Sequence, residues 1–220
     1  MPAVETVVIC AAGTGSRLGV GVPKCLVSVD GRSIIDRQLD LLTDVPDLRV
    51  TVGYREEMVV RHVQARRPDA VFVRNPDYHR TSVLCSLQRA VRHLDRSFLA
   101  LDGDLLVEPA SFREFLDVCG DGGPVIGITP ATTDDAVFVT TEQRDGVEVV
   151  TRFHREPATE LEWSGPAFLG RADLHLLDGY VFEALEPGLP LRAHRITTAE
   201  VDTPDDLERA RSVVRSWESA

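Results

Sequence analysis

The amino-acid sequence predicts a single α/β domain spanning residues 1–220, with a mostly parallel central sheet and a β-rich insertion over about residues 131–170. Three observations predict it. A β-branched run at residues 4–10 breaks directly into a glycine-rich loop, as a buried parallel strand feeding a ligand loop does. Strand-length and helix-length apolar segments then alternate through the first half, the βαβ period. In the second half two β-rich runs flank Asp145-Gly146, a hairpin signal.

The elements follow in order. Residues 25–29 read as a short extended piece closed by the turn Asp30-Gly31, and Ser33 reads as the N-cap of a helix to about residue 42. A strand at 48–52, a helix at 55–66 and a strand at 70–73 come next. Residues 82–94 carry the helical stripe Val83, Leu84, Leu87, Ala90, Val91 and Leu94, which leads into an apolar run at 98–101 that breaks at Asp102-Gly103-Asp104. A helix at 111–118 and a strand at 125–129 precede the hairpin. Residues 163–169 read as extended, 172–185 as helical, and 204–217 as a final amphipathic helix with Thr203 as cap and Pro204 in its first turn. No internal repeat or low-complexity linker divides the chain.

Composition narrows the function classes. Lys and Arg number 24 against 35 Asp and Glu, a formal charge of −11, and no basic stripe stands out, so a nucleic-acid partner is not expected. A metal-carried nucleotide is compatible with that charge, because its phosphates are met locally. The apolar runs fall short of the ~20 residues of a membrane span, and the opening MPAVETVVIC lacks the basic segment of a secretory signal. Cys10, Cys25, Cys85 and Cys119 are widely spaced in apolar contexts without a CxxC pair. That pattern points to reduced thiols in a cytoplasmic protein and offers no zinc site.

The densest chemical signal is Ala11-Ala12-Gly13-Thr14-Gly15-Ser16-Arg17-Leu18-Gly19, followed by Pro23-Lys24. Glycines after a strand let backbone N–H groups approach an anion, and the flanking cations suit a triphosphate. A dinucleotide fingerprint starting at Gly13 would need glycine where Leu18 stands, and the Gly-Lys-Ser/Thr of a P-loop is absent. On its own, the stretch is also compatible with a plain turn.

AAGTGSRLG with PKCL behind it resembles the signature of the MobA-like nucleotidyltransferases that activate sugar phosphates and alcohol phosphates on a Rossmann-like fold. The resemblance implies that Ala11, Ala12, Gly13, Thr14, Gly15 and Ser16 wrap the nucleotide. It also implies that Arg17 meets the outer phosphates and Lys24 the reacting phosphate, both as catalytic residues. Asp102-Gly103-Asp104 offers hard oxygen ligands at a strand end, which suit Mg²⁺. The resemblance assigns the metal to Asp104 and leaves Asp102 on the nucleotide side, while an Asp-Gly turn without a ligand is the alternative. Glu200-Val201-Asp202-Thr203-Pro204-Asp205-Asp206-Leu207 resembles the family's late "VDTPEDL" segment and makes Asp202 the second metal carboxylate. Read alone, that stretch is a strand followed by a capped helix start.

Asn75-Pro76-Asp77-Tyr78-His79-Arg80-Thr81-Ser82 resembles the stretch that phosphocholine cytidylyltransferase-like members place beside base and acceptor. It implies nucleotide contacts from Asn75, Thr81 and Ser82 and an acceptor contact from Tyr78. Ser82 stands where those members carry a second Asn, and a hydroxyl is shorter than an amide and has one donor proton instead of two. For the acceptor, Arg152, His154 and Arg155 with Trp163 favour an anionic group over an aromatic cage, since aromatics make up only 6% of the chain. A solvated basic hairpin edge is the other reading of those residues.

The expected activity is therefore a Mg²⁺-dependent nucleotidyl transfer from a nucleoside triphosphate, taken as CTP, to a small phosphate or phosphonate acceptor with release of pyrophosphate. Alternatives are a sugar-1-phosphate nucleotidyltransferase using another triphosphate, an A-type glycosyltransferase with Asp102-Gly103-Asp104 as its DxD motif, and a nucleotide sensor. No membrane partner is expected, and homodimerisation stays open.

Overall fold

The computed structural model describes residues 4–132, 136–176 and 178–219, so the expected start of the insertion at 131 runs into residues 133–135, which lie outside the described set. The sheet is organised around β1 (Thr6–Cys10), whose five residues are all buried. It pairs in parallel with β4 (Asp47–Val52) on one side and β6 (Phe98–Asp102) on the other, with Cys10 opposite both Thr51 and Asp102. β5 (Val71–Arg74) extends the sheet in parallel beyond β4. Alternation along β1 divides the core. Val7 and Ile9 face α1 (Ile34–Leu41), α2 (Glu56–Gln64) and α4 (Pro109–Cys119), whereas Val8 and Cys10 face α3 (Val83–Val91) and α5 (Val181–Leu185).

Beyond β6 the expected parallel sheet becomes mixed. β11 (Leu161–Leu169) runs antiparallel to β6 and to β8 (Val125–Pro130). β12 (Leu191–Arg195) lies parallel to β8, and β10 (Val147–His154) and β9 (Phe138–Arg144) complete a nine-stranded order of β5-β4-β1-β6-β11-β8-β12-β10-β9. A pairing of Glu162 with Phe138 closes β9 back onto β11. Parallel pairing is thus confined to the first four strands and β8–β12. β11, inside the expected insertion, is a member of the central sheet and not an appendage.

Local chemistry explains most elements. Asp145 (φ 51°) and Gly146 (φ 78°) adopt the two left-handed conformations of a tight hairpin, as the dipeptide predicts. The predicted caps Ser33 and Thr203 accept from the amides of Asp36 and Asp206 at the starts of α1 and α6 (Pro204–Glu218). Two expectations fail locally. Residues 25–29 begin as a single 3₁₀ turn, Lys24–Leu26, and only Ser28–Val29 (β2) pairs, with Arg32–Ser33 (β3). The expected helix at 172–185 is reduced to α5, because Gly179 at φ 118° breaks the backbone before it. Outside the main sheet, β7 (Leu105–Val107) and β13 (Thr198–Glu200) form a two-stranded ribbon.

α1 is fastened at its first turn by Asp36. Its carboxylate accepts from the Ser33 hydroxyl (2.6 Å) and from Arg66 (2.9 Å), and lies 3.1 Å from the imidazole of His62. Burial alone would push that carboxyl up, but Ser33, Arg66 and His62 outweigh it and hold it at about 2. A carboxyl depressed in the folded state stabilises the fold above its unfolded value near 4 and loses that contribution as the pH falls toward 2. Asp36→Asn should therefore cost about 1 to 2 kcal/mol at pH 7, after discounting the solvent-exposed partners, and almost nothing near pH 2. Urea denaturation of both proteins across that range measures the difference, and a gap independent of pH would contradict the assignment.

Candidate active site

The glycine loop, the Asp102-Gly103-Asp104 turn and the residues after β13 meet at the C-terminal ends of β1 and β6, where parallel strands commonly present their ligands. A small cleft of about 110 Å³ there is lined by Gly13, Gly15, Lys24, Asp102 and Asp104, among others. The loop leaves β1 at Ala11, whose amide donates to the Thr51 carbonyl and lies 3.2 Å from its hydroxyl. Gly13, Thr14, Ser16 and Arg17 are solvent-exposed, so this loop is open to a ligand. Gly15, at φ 58°, lies against the Lys24 stem: a side chain there would stand 3.1 Å from Lys24 Cβ. The same glycine thus turns the loop and leaves the lysine its path.

Asp104 is placed by close approach and by strand pairing. The Gly103 amide donates to the Cys10 carbonyl (3.0 Å), and a methyl at 103 would sit 2.9 Å from that oxygen and 3.1 Å from Ala11 Cα. β7 follows at once and pairs with β13, with Leu105 opposite Glu200. The Val201 amide then donates to the Asp104 carbonyl (3.1 Å), which brings Asp202 alongside. Asp206 fixes that corner by accepting from the amides of Asp202 (3.1 Å) and Thr203 (2.8 Å).

Carboxylate oxygens of Asp104, Glu200 and Asp202 all lie within 4.8 Å of one another. Oxygens around an octahedral Mg²⁺ at roughly 2.1 Å span at most about 4.2 Å, so a small adjustment closes this set on a single ion. An internal cation already stands there. The Lys24 ammonium contacts Asp104 (2.5 Å) and also Asp202, whose other oxygen pairs with Arg17. The donor chemistry and this lysine stand-in together fit a hard divalent cation. Burial would lower the pKa of the Lys24 ammonium, but Asp104 and Asp202 outweigh it and raise it above the ordinary lysine value. Burial and the neighbouring acids push the Asp102 carboxyl up to about 7 and Glu200 up to about 8, which marks an excess of negative charge. Burial, with Asp102 and Asp104 beside it, also raises the Cys10 thiol well above its usual value.

Lys24, Arg17, Asp104 and Asp202, separated widely in the sequence, are therefore brought together as expected. Glu200 joins them without having been assigned. Its signal was the alternation Glu200-Val201-Asp202, which puts residues two apart on the same side of an extended chain. Asp102 lines the cleft, and Gly165 of β11, at φ 98°, passes so close that a side chain there would lie 3.4 Å from an Asp102 oxygen.

The 75–82 stretch is occupied internally. Buried Asn75 donates to the hydroxyls of Thr81 and Ser86 (both 2.9 Å) and accepts from the Asp77 amide, so both donor protons that a base contact would use are taken. Asn75 shapes the loop, and Thr81 donates onward to the Asp77 carbonyl (3.0 Å). Ser82 donates to Asp178 (2.6 Å) across the chain, a partner with no sequence signal. Tyr78 packs near Gly53 and Tyr54, with ring centroids 6.4 Å apart in the tyrosine pair. The acceptor candidates form two groups, because neighbours on a strand face opposite sides. Arg152 and His154 share a side of β10, with His154 opposite Phe138. Phe153 takes the other side with Trp163 (6.3 Å), and Arg155 lies over the rings of Tyr180 (5.1 Å) and Phe182 (5.5 Å).

A glycine loop and an acidic cluster at the ends of parallel strands, bridged by lysine and arginine, define the class of α/β proteins that hold a phosphorylated nucleotide beside a cation. Comparison with known proteins specifies the group: the model of the MobA-like NTP transferase domain matches residues 7–218, and the chain belongs to that family. It is 31% identical over 236 residues to the "Bifunctional IPC transferase and DIPP synthase" of Rubrobacter xylanophilus, covering 95% of this chain and 52% of that protein. It is 30% identical over 191 residues to the "CMP-5'-(3-aminopropyl)phosphonate synthase" of Streptomyces rubellomurinus, covering 83% of this chain and 30% of that protein. The chain thus spans about half or less of the length of these relatives. Among solved structures, the inositol-1-phosphate CTP transferase from T. maritima superposes with a TM-score of 0.77 at 16% identity, covering 99% of this chain and 98% of that one, and shares the fold. No helix among the described residues is long and apolar enough to cross a membrane.

The contacts at Gly103 yield a direct test. Gly103→Ala should destabilise the protein by about 1 to 3 kcal/mol, because the methyl meets backbone on two sides. A denaturation midpoint equal to wild type would contradict that close approach.

Proposed function

We propose that this chain is a divalent-metal-assisted cytidylyltransferase. It joins CMP from CTP to a small phosphorylated alcohol or phosphonate and releases pyrophosphate. One observation carries the reading: Lys24 contacts both Asp104 and Asp202, 80 and 178 residues away in sequence, at the mouth of the exposed glycine loop. Cytosine as the base and a phosphate or phosphonate as the acceptor are supported by the names of the relatives, one a CMP-phosphonate synthase. The reading takes the protein as cytoplasmic and without nucleic-acid or membrane partners.

The chemistry asks for positioning and charge. An acceptor phosphate oxygen is already anionic near neutral pH, so it needs no general base. It attacks the α-phosphorus, the bond from that phosphorus to the bridging oxygen breaks, and pyrophosphate leaves with the electron pair. Ala11, Ala12, Gly13, Thr14, Gly15 and Ser16 hold the nucleotide through the open loop, and exposed Arg17 reaches the outer phosphates. Lys24 stabilises the charge that develops on the reacting phosphate. Asp104, Asp202 and Glu200 would hold Mg²⁺, which when bound would supply positive charge to offset the repulsion between two anionic reactants. On the acceptor side the candidates fall in two groups, Trp163 and Arg155 beside Phe153 and Phe182, and Arg152 with His154 on the other face of β10, with Tyr78 contributing from the 75–82 loop.

A grid of the four nucleoside triphosphates against inositol phosphate, phosphocholine, sugar 1-phosphates and small phosphonates, read as pyrophosphate, tests the reading. CTP with an alcohol phosphate or phosphonate should give turnover, and CTP binding without pyrophosphate from any acceptor would overturn it. Lys24→Ala should lower turnover about 100-fold or more while CTP affinity changes only a few-fold. Near-normal turnover in that variant would remove Lys24 from the chemistry.

A further inference from the structure

The turn that carries Asp104 joins two strands of different sheets. β6 belongs to the nine-stranded sheet, whereas β7 pairs with β13 in the separate ribbon. Ladder hydrogen bonds fix each strand within its own sheet and leave the angle between them unset. Besides the backbone bonds from Gly103 to Cys10 and from Val201 to Asp104, a buried side chain spans the gap. The Gln38 amide, from α1, donates one N–H to the Asp102 carbonyl (2.7 Å) and the other to the Leu105 carbonyl (2.8 Å), the residues on either side of Gly103-Asp104. Leu105 is also the residue opposite Glu200, so the same amide steadies the ribbon that delivers Glu200 and Asp202.

Gln38 is 1% exposed and lies on the buried stripe of α1 with Ile34, Ile35 and Leu39, where helical spacing calls for an apolar residue. Its Oε1 is buried and meets no donor among the described residues, a cost to folding that a leucine would not carry. The amide is therefore placed for its two donors and not for core packing.

We propose that Gln38 is a positioning residue that sets the spacing of the Asp104, Glu200 and Asp202 carboxylates and thereby the affinity for the divalent cation. The inference rests on the metal reading of that cluster. A small cation with short, near-octahedral bonds is sensitive to such spacing, and groups that orient ligands commonly change affinity by about tenfold or more when removed.

The test uses the whole protein and Mn²⁺ alone as probe, with affinity read by electron paramagnetic resonance or calorimetry in the absence of nucleotide. Each variant is measured well below its own thermal midpoint. Gln38→Leu removes both donors, Gln38→Met keeps the apolar stem if leucine does not fold, and Gln38→Glu keeps the shape without the N–H groups. Each should weaken Mn²⁺ binding by about tenfold. Asp36→Asn, which loosens the first turn of the same helix without touching the Asp104 turn, should lower stability and leave Mn²⁺ affinity unchanged. Gln38 variants that lose stability but bind Mn²⁺ as wild type does would overturn the proposal and leave the metal reading standing. Wild-type protein that does not bind Mn²⁺, or Asp104→Ala that binds it equally well, would remove the metal reading and this inference with it.

Discussion

Carboxylates repel one another, and this fold gathers Asp102, Asp104, Glu200 and Asp202 at the ends of its central strands. Burial first, and the neighbouring carboxylates after it, push the Asp102 and Glu200 carboxyls up. Lys24 and Arg17 offset part of it, and both come from the glycine loop region, so the same few residues that shape a phosphate cradle also hold the acidic cluster together. The loop and the cluster are electrostatically one unit. Partly buried charge of this kind is tolerated only with a counter-charge in place, and Lys24 and Arg17 provide it.

Much of this was legible in the sequence, for identifiable reasons. β1 and β6 are buried on both faces and therefore read as nearly continuous apolar runs, while β4 keeps Leu48, Val50 and Val52 in alternation and reads as a strand on that period. Ser33, Thr203 and Asp145-Gly146 act through neighbours two to four residues away, which a sequence displays directly. The glycine loop, the Asp102-Gly103-Asp104 turn and the 200–207 stretch pointed to the site through their joint resemblance to one family's motifs, since each read alone was compatible with a plain turn or a helix cap.

What was not legible depends on pairing at long range. β12 is Leu-Arg-Ala-His-Arg, a strand whose polar positions hide it, and its insertion beside β8 helps make the far half of the sheet mixed. Asn75 was read as a ligand contact, yet its amide is consumed by Thr81, Ser86 and Asp77, which only the folded loop reveals. Arg152 and His154 were grouped with Arg155 and Trp163 by proximity in sequence, and the pleat separates them. Gln38 gave one faint sign, a polar residue on an apolar stripe.

The return of β9 onto β11 bears on how this molecule behaves in a crowded solution. A sheet offers unpaired backbone groups only along its borders, and here the Phe138 end of β9 is covered by Glu162 of β11, while its remaining residues pair on one side, with β10. The opposite border is β5, whose four residues end in Arg74, tied to Glu56 by an ion pair. β9 carries the exposed pair Glu142 and Arg144 near its hairpin end, and charges on a border strand make it a poorer template for lateral growth.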